Sequence, residues 1–341
     1  MATSKKAAPT IGLDIGDYSV KFIEMLCTPE AIKLQQANVF PLSSPTPEVL
    51  KEALKQVFSA FPIPPRHVRI AVSGPSVITR CVNLPVMTEA ELAGAIRFEA
   101  ENHIPFPIDE CILDSQILKQ LPDKKMMNVL LVAAKREFIQ ERLKLLLEFE
   151  VKPELVDTDT LCLVNSFEML NDIPDQKTYA LLNIGHHVSL FVIVLDKLPY
   201  FVRDIAHGGM AITQTVMEMK GISEVEADAF KMNRSFEHLN DLKLASQKGF
   251  GPLVDELKPL IDYFENEVGE ELKSVWLSGG AAMSVGAPEL FSERLGKEVS
   301  LWDNTRKLEI SGRLDLKFLK EHCAELNVAF GLALRRSGGE K

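Results

Sequence analysis

Cysteine is scarce in this sequence, and the few cysteines are far apart. There are five in 341 residues, an odd number, and no C-x-x-C pair occurs. This pattern excludes a disulfide framework and a cysteine-based zinc site, and it is typical of reduced thiols in a cytoplasm. Basic residues are also in the minority, since 38 Lys and Arg face 48 Asp and Glu, for a formal net charge of −10. A nucleic-acid-binding surface is therefore not expected.

Long hydrophobic runs are missing as well. The best candidate, 188–195, contains Ser189 and is far shorter than the roughly 18 apolar residues of a membrane span. Residues 1–10 are not followed by a hydrophobic segment, because Asp14 and Asp17 interrupt the apolar run. We therefore expect no signal peptide. The composition, 46% hydrophobic and 25% charged, is that of a globular protein. We therefore expect a cytoplasmic protein.

The stretch Ile11–Met25 has the pattern of a β-hairpin with a turn at Gly16-Asp17. Gly16 has no Cβ, so a ligand can approach its backbone closely. Asp14 ends the first strand and Lys21 lies on the second. This combination suits a metal-bound phosphate, because the carboxylate can hold Mg²⁺ through water while N–H groups and the ammonium bind the oxygens. The alternative is an ordinary hairpin with a solvated turn.

A second stretch, Leu182–Val192, repeats this pattern with one extra residue in the turn. It places Asn183 where the first hairpin has Asp14, and Gly185 opens its turn. Such internal similarity predicts two related halves that face a shared ligand. The pair His186-His187 follows. Neighbouring residues on an extended chain point to opposite faces, so we interpret the pair as a polar turn rather than a metal site.

The rest of the chain alternates strands and helices, which predicts an α/β protein. Thr88-x-x-Glu91 is a capping-box pattern that starts a helix. Helix, strand, strand and helix over 86–151 have the pattern of an insert. Residues 211–268 are helical in pattern, with polar connections predicted near 233–240 and 249–252.

Three further places have residues suited to a ligand. Strand ends followed by helices occur at Gly208-Gly209 and at Ser278–Ala281, where free N–H groups can meet an anion or a polar ring. Tight turns are the alternative at both. Asp157 and Asp159 start a helix, where carboxylates usually cap the helix or favour its dipole. If the hairpins face each other, one of these carboxylates can orient a water in the cleft.

Together these motifs resemble the actin-like ATPase superfamily, and within it the PilM family of type IV pilus assembly proteins, relatives of the division protein FtsA. The resemblance covers nearly the whole chain. It is carried by Asp14-x-Gly16-x-x-Ser19-x-Lys21 and by the stretches Ile96–Pro107, Val132–Lys135, Leu277–Ala281 and Val328–Ala333. It implies an α/β actin-like ATPase fold with two related lobes around a nucleotide cleft. The implied subdomains are 1A (1–85 and 152–175, with the helix 324–336), 1C (86–151), 2A (176–210 and 272–323) and 2B (211–271).

The resemblance also implies ATP and Mg²⁺ between subdomains 1A and 2A, with Asp14 near the metal. Asp14, Asp157 and Asp159 are the candidate catalytic carboxylates. The implied nucleotide-binding residues are Gly16, Asp17, Tyr18, Ser19, Lys21, Asn183, Gly185, His186, Gly208, Gly209, Asp228, Lys231, Gly279, Gly280 and Ala281.

A role in an inner-membrane assembly platform is implied too. A PilM-like protein holds the short cytoplasmic tail of a PilN-like membrane protein in a groove between 1A and 1C. Contacts with other platform or motor proteins and self-association are further implied partners, and the membrane is reached only through a partner. Phe98, Ile104 and Phe106 are candidate groove residues, with core packing as the alternative.

Two departures from the family pattern bear on activity. Asn183 stands where the second hairpin usually has Asp, and a neutral amide can neither share the charge of Mg²⁺ nor act as a base. The bulk of His186-His187 can crowd the phosphates. We therefore expect nucleotide binding with weak or absent hydrolysis. A small-molecule kinase of the superfamily and an FtsA-like membrane filament are alternatives. Asn183 argues against the first, and the short polar end 335–341 against the second.

Overall fold

The computed structural model describes residues 8–61, 63–121, 125–171 and 177–335. The polar end discussed above, apart from residue 335, lies outside the described residues. The strands are β1 (Thr10–Ile15), β2 (Ser19–Cys27), β3 (Ile32–Pro41), β4 (Val68–Val72), β5 (Val77–Pro85), β6 (Cys111–Leu121), β7 (Met126–Lys135), β8 (Leu155–Thr158), β9 (Thr178–Ile184), β10 (Ser189–Leu195), β11 (Leu198–Ile205), β12 (Ser274–Ser278), β13 (Glu298–Leu301) and β14 (Glu309–Ile310). The helices are α1 (Pro47–Ser59), α2 (Glu89–Glu101), α3 (Arg136–Leu147), α4 (Asp159–Leu170), α5 (Met210–Lys220), α6 (Glu224–Met232), α7 (Leu239–Val268), α8 (Ala287–Leu295), α9 (Leu316–His322) and α10 (Asn327–Leu334).

Two of the three sheets share one plan. The first lobe has the order β14-β3-β2-β1-β4-β8, and the second lobe has β11-β10-β9-β12-β13. In both lobes an antiparallel three-strand meander is followed by two parallel strands. Each sheet is covered by helices, as expected for parallel strands with buried faces. The predicted α/β fold with two related halves is confirmed.

The turns of the two hairpins have the same length. Ile15 pairs with Val20 across the first turn, and Ile184 pairs with Ser189 across the second. Residues 16–19 and 185–188 therefore form equivalent turns, and the extra residue predicted in the second turn is wrong. Ser19 and Ser189 are alike in type but not equivalent in position, because backbone pairing decides the register and matches Ser189 with Val20.

The insert has a sheet of its own, with the order β5-β7-β6. Strand β5 belongs to it, so residues 77–85 share a sheet with the insert predicted for 86–151. The capping box at Thr88 and Glu91 is present, and α2 buries Leu92, Ile96 and Ala100 against this sheet. The exact subdomain boundaries stay a prediction.

Helix α10 completes the first lobe, although it is the last described helix of the chain. All its residues are buried, and they pack against β1 and α4. Gly12 on β1 makes this close approach possible, because a Cβ there would lie 2.0 Å from the carbonyl oxygen of Ala329. The hydroxyl of Thr10 donates to the carbonyl of Ala333 at 2.7 Å.

The helical block of the second lobe differs from the prediction at one connection. Helix α7 runs without a break through 249–252, with Pro252 and Pro259 inside it, so the predicted connection there is wrong. Burial of one long apolar face outweighs the helix-breaking tendency of these residues. After β12, residues 280–283 form a short 3₁₀ turn before α8. Neither α7 nor any other helix in the described ranges is both long and apolar enough to cross a membrane.

Candidate functional site

The cleft between the lobes contains two adjoining cavities. One, the apolar cavity, has a volume of about 140 Å³ and is lined partly by Ile212, Leu242 and Val285. The other, the polar cavity, has a volume of about 190 Å³ and lies at the strand ends. It is lined by charged or polar groups that include Asp14, Asp17, Arg142, Asp159, Asn183 and Asp204. Tyr18, Lys21, Gly185 and His186 line both cavities.

A stacked pair of rings separates the two cavities. Tyr18 belongs to the turn of the first hairpin and His186 to the turn of the second. Their ring centroids are 4.6 Å apart and their planes differ by 27°. Because both rings line both cavities, the stack forms the wall between them. His187 meets His186 edge to face, with centroids 4.3 Å apart, so the two histidines do not point to opposite faces as on an extended strand.

A hydrogen-bond network from α6 holds the Tyr18 side of the stack. Asp228 accepts from Thr213 and from Lys231, each at 2.8 Å, and also from the hydroxyl of Tyr18. The Lys231 ammonium lies 5.7 Å from the centre of the Tyr18 ring. The predicted residues Asp228 and Lys231 therefore meet the first hairpin across the cleft.

The protonation states in this network favour the stack. Burial, with the Asp228 carboxylate adding to it, raises the pKa of Tyr18 to about 12, so its hydroxyl stays a donor at neutral pH. Burial and the neighbouring His187 and Lys231 lower the pKa of His186 to about 4. His186 is consequently neutral at pH 7, which removes the charge repulsion that an imidazolium would bring beside Lys231.

The first hairpin carries an ion pair that the second lacks. Asp14 and Lys21 are cross-strand partners, with 3.2 Å between carboxylate and ammonium. Burial alone would lower the pKa of Lys21, but Asp14, Glu325 and Asp159 outweigh it and raise that pKa. The equivalent cross-strand pair in the second hairpin is Asn183 with Leu190. Both charges are therefore missing there.

Ser278 fixes the amide of Asn183 from the neighbouring strand. Its hydroxyl lies 3.1 Å from the Asn183 Oδ1 and equally far from the carbonyl of Ala324, so its one proton serves either acceptor. The Asn327 amide donates to the same hydroxyl at 3.1 Å. Asn183 thus belongs to a buried polar network at the floor of the cleft.

Of the two carboxylates at the start of α4, only Asp159 lines a cavity. Burial and the nearby Asp14 raise its pKa to about 7, while a hydrogen bond from Ser73 opposes the rise. Asp157 does not line either cavity, and its carboxylate lies 3.1 Å from the guanidinium of Arg335. The structure therefore brings Asp159 to the cleft and leaves Asp157 beside the end of α10.

The glycine pairs mainly position the second hairpin. Gly279 has φ +88°, and a Cβ there would lie 2.3 Å from the carbonyl oxygen of Ile184. Its N–H donates to Ala324, so it does not face a ligand. The N–H of Gly209 donates to Gly185 at 2.9 Å, and Gly208 packs against the same turn. Among the predicted residues of these two motifs, those that line the apolar cavity are Gly209, Gly280 and Ala281.

The chain matches the family model for the type IV pilus assembly protein PilM over residues 12–337. It belongs to the PilM family. A solved structure described as a PilM-PilN type IV pilus biogenesis complex is similar at 24% identity, with a TM-score of 0.84, 96% of this chain covered and 98% of that chain. The resemblance inferred from the sequence motifs is confirmed.

Two other solved structures share the fold of this PilM-family protein. The ethanolamine utilization protein EutJ from Carboxydothermus hydrogenoformans has a TM-score of 0.55 at 12% identity, over 96% of this chain and 89% of that one. MreB5 of Spiroplasma citri bound to ADP has a TM-score of 0.51 at 10% identity, over 96% and 95%. At such identities the likeness shows the actin-like ATPase fold, which confirms the predicted fold class.

The three candidate partner residues of the PilM-family chain differ in their exposure to solvent. Phe98, on α2, is 71% exposed. Ile104 is buried in the core of the insert and Phe106 packs against that core, with the Lys135 ammonium 5.3 Å from its ring. Core packing therefore describes Ile104 and Phe106, and only Phe98 of the three is available at the surface.

The donor set fits a nucleotide with its metal. No cluster of three His, Cys, Asp or Glu positioned for a metal occurs among the described residues. Magnesium usually needs only one or two carboxylates, because water and phosphates supply the other ligands. Asp14 and Asp159 are carboxylates of this kind, the charge of the Lys21 ammonium suits a phosphate, and the adjoining apolar cavity suits a base.

Several residues that line the polar cavity carry no clear sequence signal. The loop 73–76 follows β4, the parallel neighbour of β1, so its position at the carboxyl end of that strand could have predicted it. Asp204 and Arg142 come from β11 and α3, and only the tertiary fold brings them to the cleft.

Proposed function

We propose that this PilM-family protein is a cytoplasmic ATP-binding scaffold of a type IV pilus inner-membrane assembly platform. It binds the N-terminal tail of a PilN-like membrane protein, and its affinity for that tail changes with the bound nucleotide. The observation that carries the proposal is the Tyr18–His186 stack, which joins the two lobes and divides the cleft into two compartments.

Occupation of both compartments by one nucleotide requires Tyr18 and His186 to separate. Because the two residues belong to different lobes, the cleft with the stack and the cleft without it differ in how the lobes face each other. A ligand shifts such an equilibrium only by its different affinity for the two states. The stack supplies that difference, since breaking an aromatic contact costs about 0.5–1.5 kcal/mol.

Different residues bind different parts of the nucleotide and its metal. Asp14 holds Mg²⁺ through water, and Lys21 binds phosphate oxygens. Lys231 and the turn Gly280-Ala281 face the apolar compartment that takes the base and ribose. Bound Mg²⁺ supplies charge neutralisation for the phosphates. We propose weak or absent hydrolysis, because Asn183 and Leu190 leave the second hairpin without a base or a cation.

The proposed partner surface lies on the insert. Phe98 is an exposed aromatic residue on α2, and aromatic residues are frequent anchors at protein interfaces. The similar solved structure described as a PilM-PilN complex supports a PilN-like partner. The partner would attach this chain to the inner membrane from the cytoplasmic side.

The test is a calorimetric titration of the full-length protein with a peptide of the PilN-like tail. It is run without nucleotide, with Mg-ATP and with Mg-ADP. We expect the tail affinity to differ by about fivefold or more between ATP and no nucleotide. Asp14→Ala should keep tail binding and lose this difference. Equal affinities in all ligands would remove the coupling, and no detectable binding of ATP to the wild type would remove the nucleotide site.

A further inference from the structure

The insert contributes a cation to the polar cavity. Lys21 and Arg142 are the only Lys or Arg among the described residues that line it, and Lys21 is already paired with Asp14. Arg142 has no carboxylate within ion-pair distance in the described ranges. Burial lowers its pKa, while Asp17 and Asp14 act in the opposite direction. A half-buried guanidinium that is charged and lacks a direct partner is suited to an anionic ligand.

The packing of helix α3 fixes the position of Arg142. Its guanidinium lies 5.3 Å from the ring of Phe138, one turn earlier on the helix. Phe138, Ile139 and Leu143 pack with Val72 of the first lobe, and Leu146 is buried in the core of that lobe. The side chain is therefore presented by a rigid element, which lowers the entropy that is lost on binding.

Helix α3, which belongs to the insert, also continues directly from the insert sheet. Strand β7 ends at Lys135, and α3 begins at Arg136 without a loop. Strand β7 is the central strand of the insert sheet, and α2 covers this sheet with its buried face while Phe98 stays exposed. Helix α3 and the sheet that carries the proposed partner surface are thus joined without an intervening loop, so a displacement of α3 would act directly on that sheet.

We propose that Arg142 binds the terminal phosphate of a nucleoside triphosphate and so reports the triphosphate state to the insert. This inference rests on the proposed nucleotide site. A guanidinium binds two phosphate oxygens at once, and a terminal phosphate offers it three non-bridging oxygens and more negative charge than an internal phosphate does. Arg142 is thus a specificity-determining residue that distinguishes ATP from ADP.

The first test compares Mg-ATP, Mg-ADP and AMP by calorimetry on the full-length wild type, Arg142→Ala and Arg142→Lys. Lys144→Ala is the matched control, since Lys144 is exposed on the same helix. We expect Arg142→Ala to weaken the binding of ATP about 10- to 100-fold, while the affinities for ADP and AMP change by less than about threefold. Arg142→Lys should recover part of the loss, and Lys144→Ala should bind all three like the wild type.

The outcomes separate this inference from the proposed function. If the wild type binds no nucleotide, the proposed function fails. If the wild type binds ATP and Arg142→Ala keeps the same ratio of ATP to ADP affinity, only the role of Arg142 fails. An equal loss for all three nucleotides would also overturn it, because that result indicates a displaced helix. Near-UV circular dichroism of each variant checks that the tertiary structure is kept.

The second test measures amide hydrogen exchange in the insert. In the wild type, ATP should slow exchange in α2 and β7 by at least about twofold relative to ADP, and Arg142→Ala should abolish this difference. Identical exchange with ATP and ADP in the wild type would overturn the link to the insert.

Discussion

The ring of Tyr18 stacks on the ring of His186 across the cleft, 4.6 Å between centroids, and so joins the turns of two different lobes. We expect a double-mutant cycle of Tyr18→Ala and His186→Ala to give a coupling energy of about 0.5–1.5 kcal/mol in the absence of ligand. Urea denaturation of the four proteins measures it. Pairing Tyr18→Ala with Phe98→Ala should give additive effects, because Phe98 is exposed on α2 and lines neither cavity. A coupling energy of zero for the stacked pair would show that the contact between the rings contributes nothing to stability.

Asp159 should make stability depend on pH. Its pKa is about 7 in the folded protein and near 3.8 when unfolded. The folded state therefore keeps a proton that the unfolded state releases, and stability falls as pH rises between about 4 and 7. Asp159→Asn lacks this loss. Relative to wild type, the unfolding free energy of this variant should therefore rise by up to about 1.4 kcal/mol per pH unit across that window. Above the window the difference between the two proteins should stay constant.

Urea denaturation at intervals from pH 4.5 to 8.5, without nucleotide or Mg²⁺, follows this difference. Asp262→Asn, at an exposed position on α7, serves as the control and should give a constant offset from wild type. A constant offset for Asp159→Asn as well would contradict the burial of its charge.

Two glycines of the cleft should respond differently to alanine. At Gly279, with φ +88°, the new Cβ would lie 2.3 Å from a backbone carbonyl, so we expect a loss of at least about 2 kcal/mol in unfolding free energy. At Gly16 the nearest atoms are the ammonium of Lys21 at 3.0 Å and the backbone oxygen of Ser19 at 3.2 Å, and the φ is not left-handed, so the loss should be smaller, about 1 kcal/mol. Thermal and urea unfolding compare them. Similar losses at both positions would refute the distinction.

Phe98 and Phe106 should separate partner binding from stability. Phe98→Ala removes an exposed ring, so the unfolding free energy should change by less than about 0.5 kcal/mol while tail affinity falls about tenfold. Phe106→Ala removes a ring packed on the insert core and should cost about 1–3 kcal/mol. Calorimetry with the tail peptide and urea unfolding provide both values. Unchanged tail affinity in Phe98→Ala would place the partner elsewhere.

Local sequence patterns predicted the two hairpins, the helix cap at Thr88 and the insert because short-range rules decide them. The strand alternation around Gly16 and Gly185 depends on neighbours only. By contrast, α7 passes through 249–252 because its long apolar face is buried. No window of a few residues contains that information.

The candidate site divides in the same way. Asp14, Lys21 and Tyr18 sit on one hairpin, so one stretch of sequence predicted them together. Arg142 and Asp204 reach the same cavity from distant elements, and their positions follow from how the insert and the second lobe pack. The role of Gly279 also depends on a long-range contact, its approach to Ile184 on β9.

The bond from Thr10 to Ala333 connects the first described strand to the last described helix, 323 residues apart in the chain. During synthesis β1 leaves the ribosome early, yet the helix that covers its buried face emerges only after both lobes and the insert have been made. The nascent first lobe must therefore keep an unfilled groove beside the hairpin that carries Asp14. Pairing over such a separation is slow and leaves apolar surface uncovered meanwhile. A truncation that removes α10 should consequently yield a chain that chaperones retain.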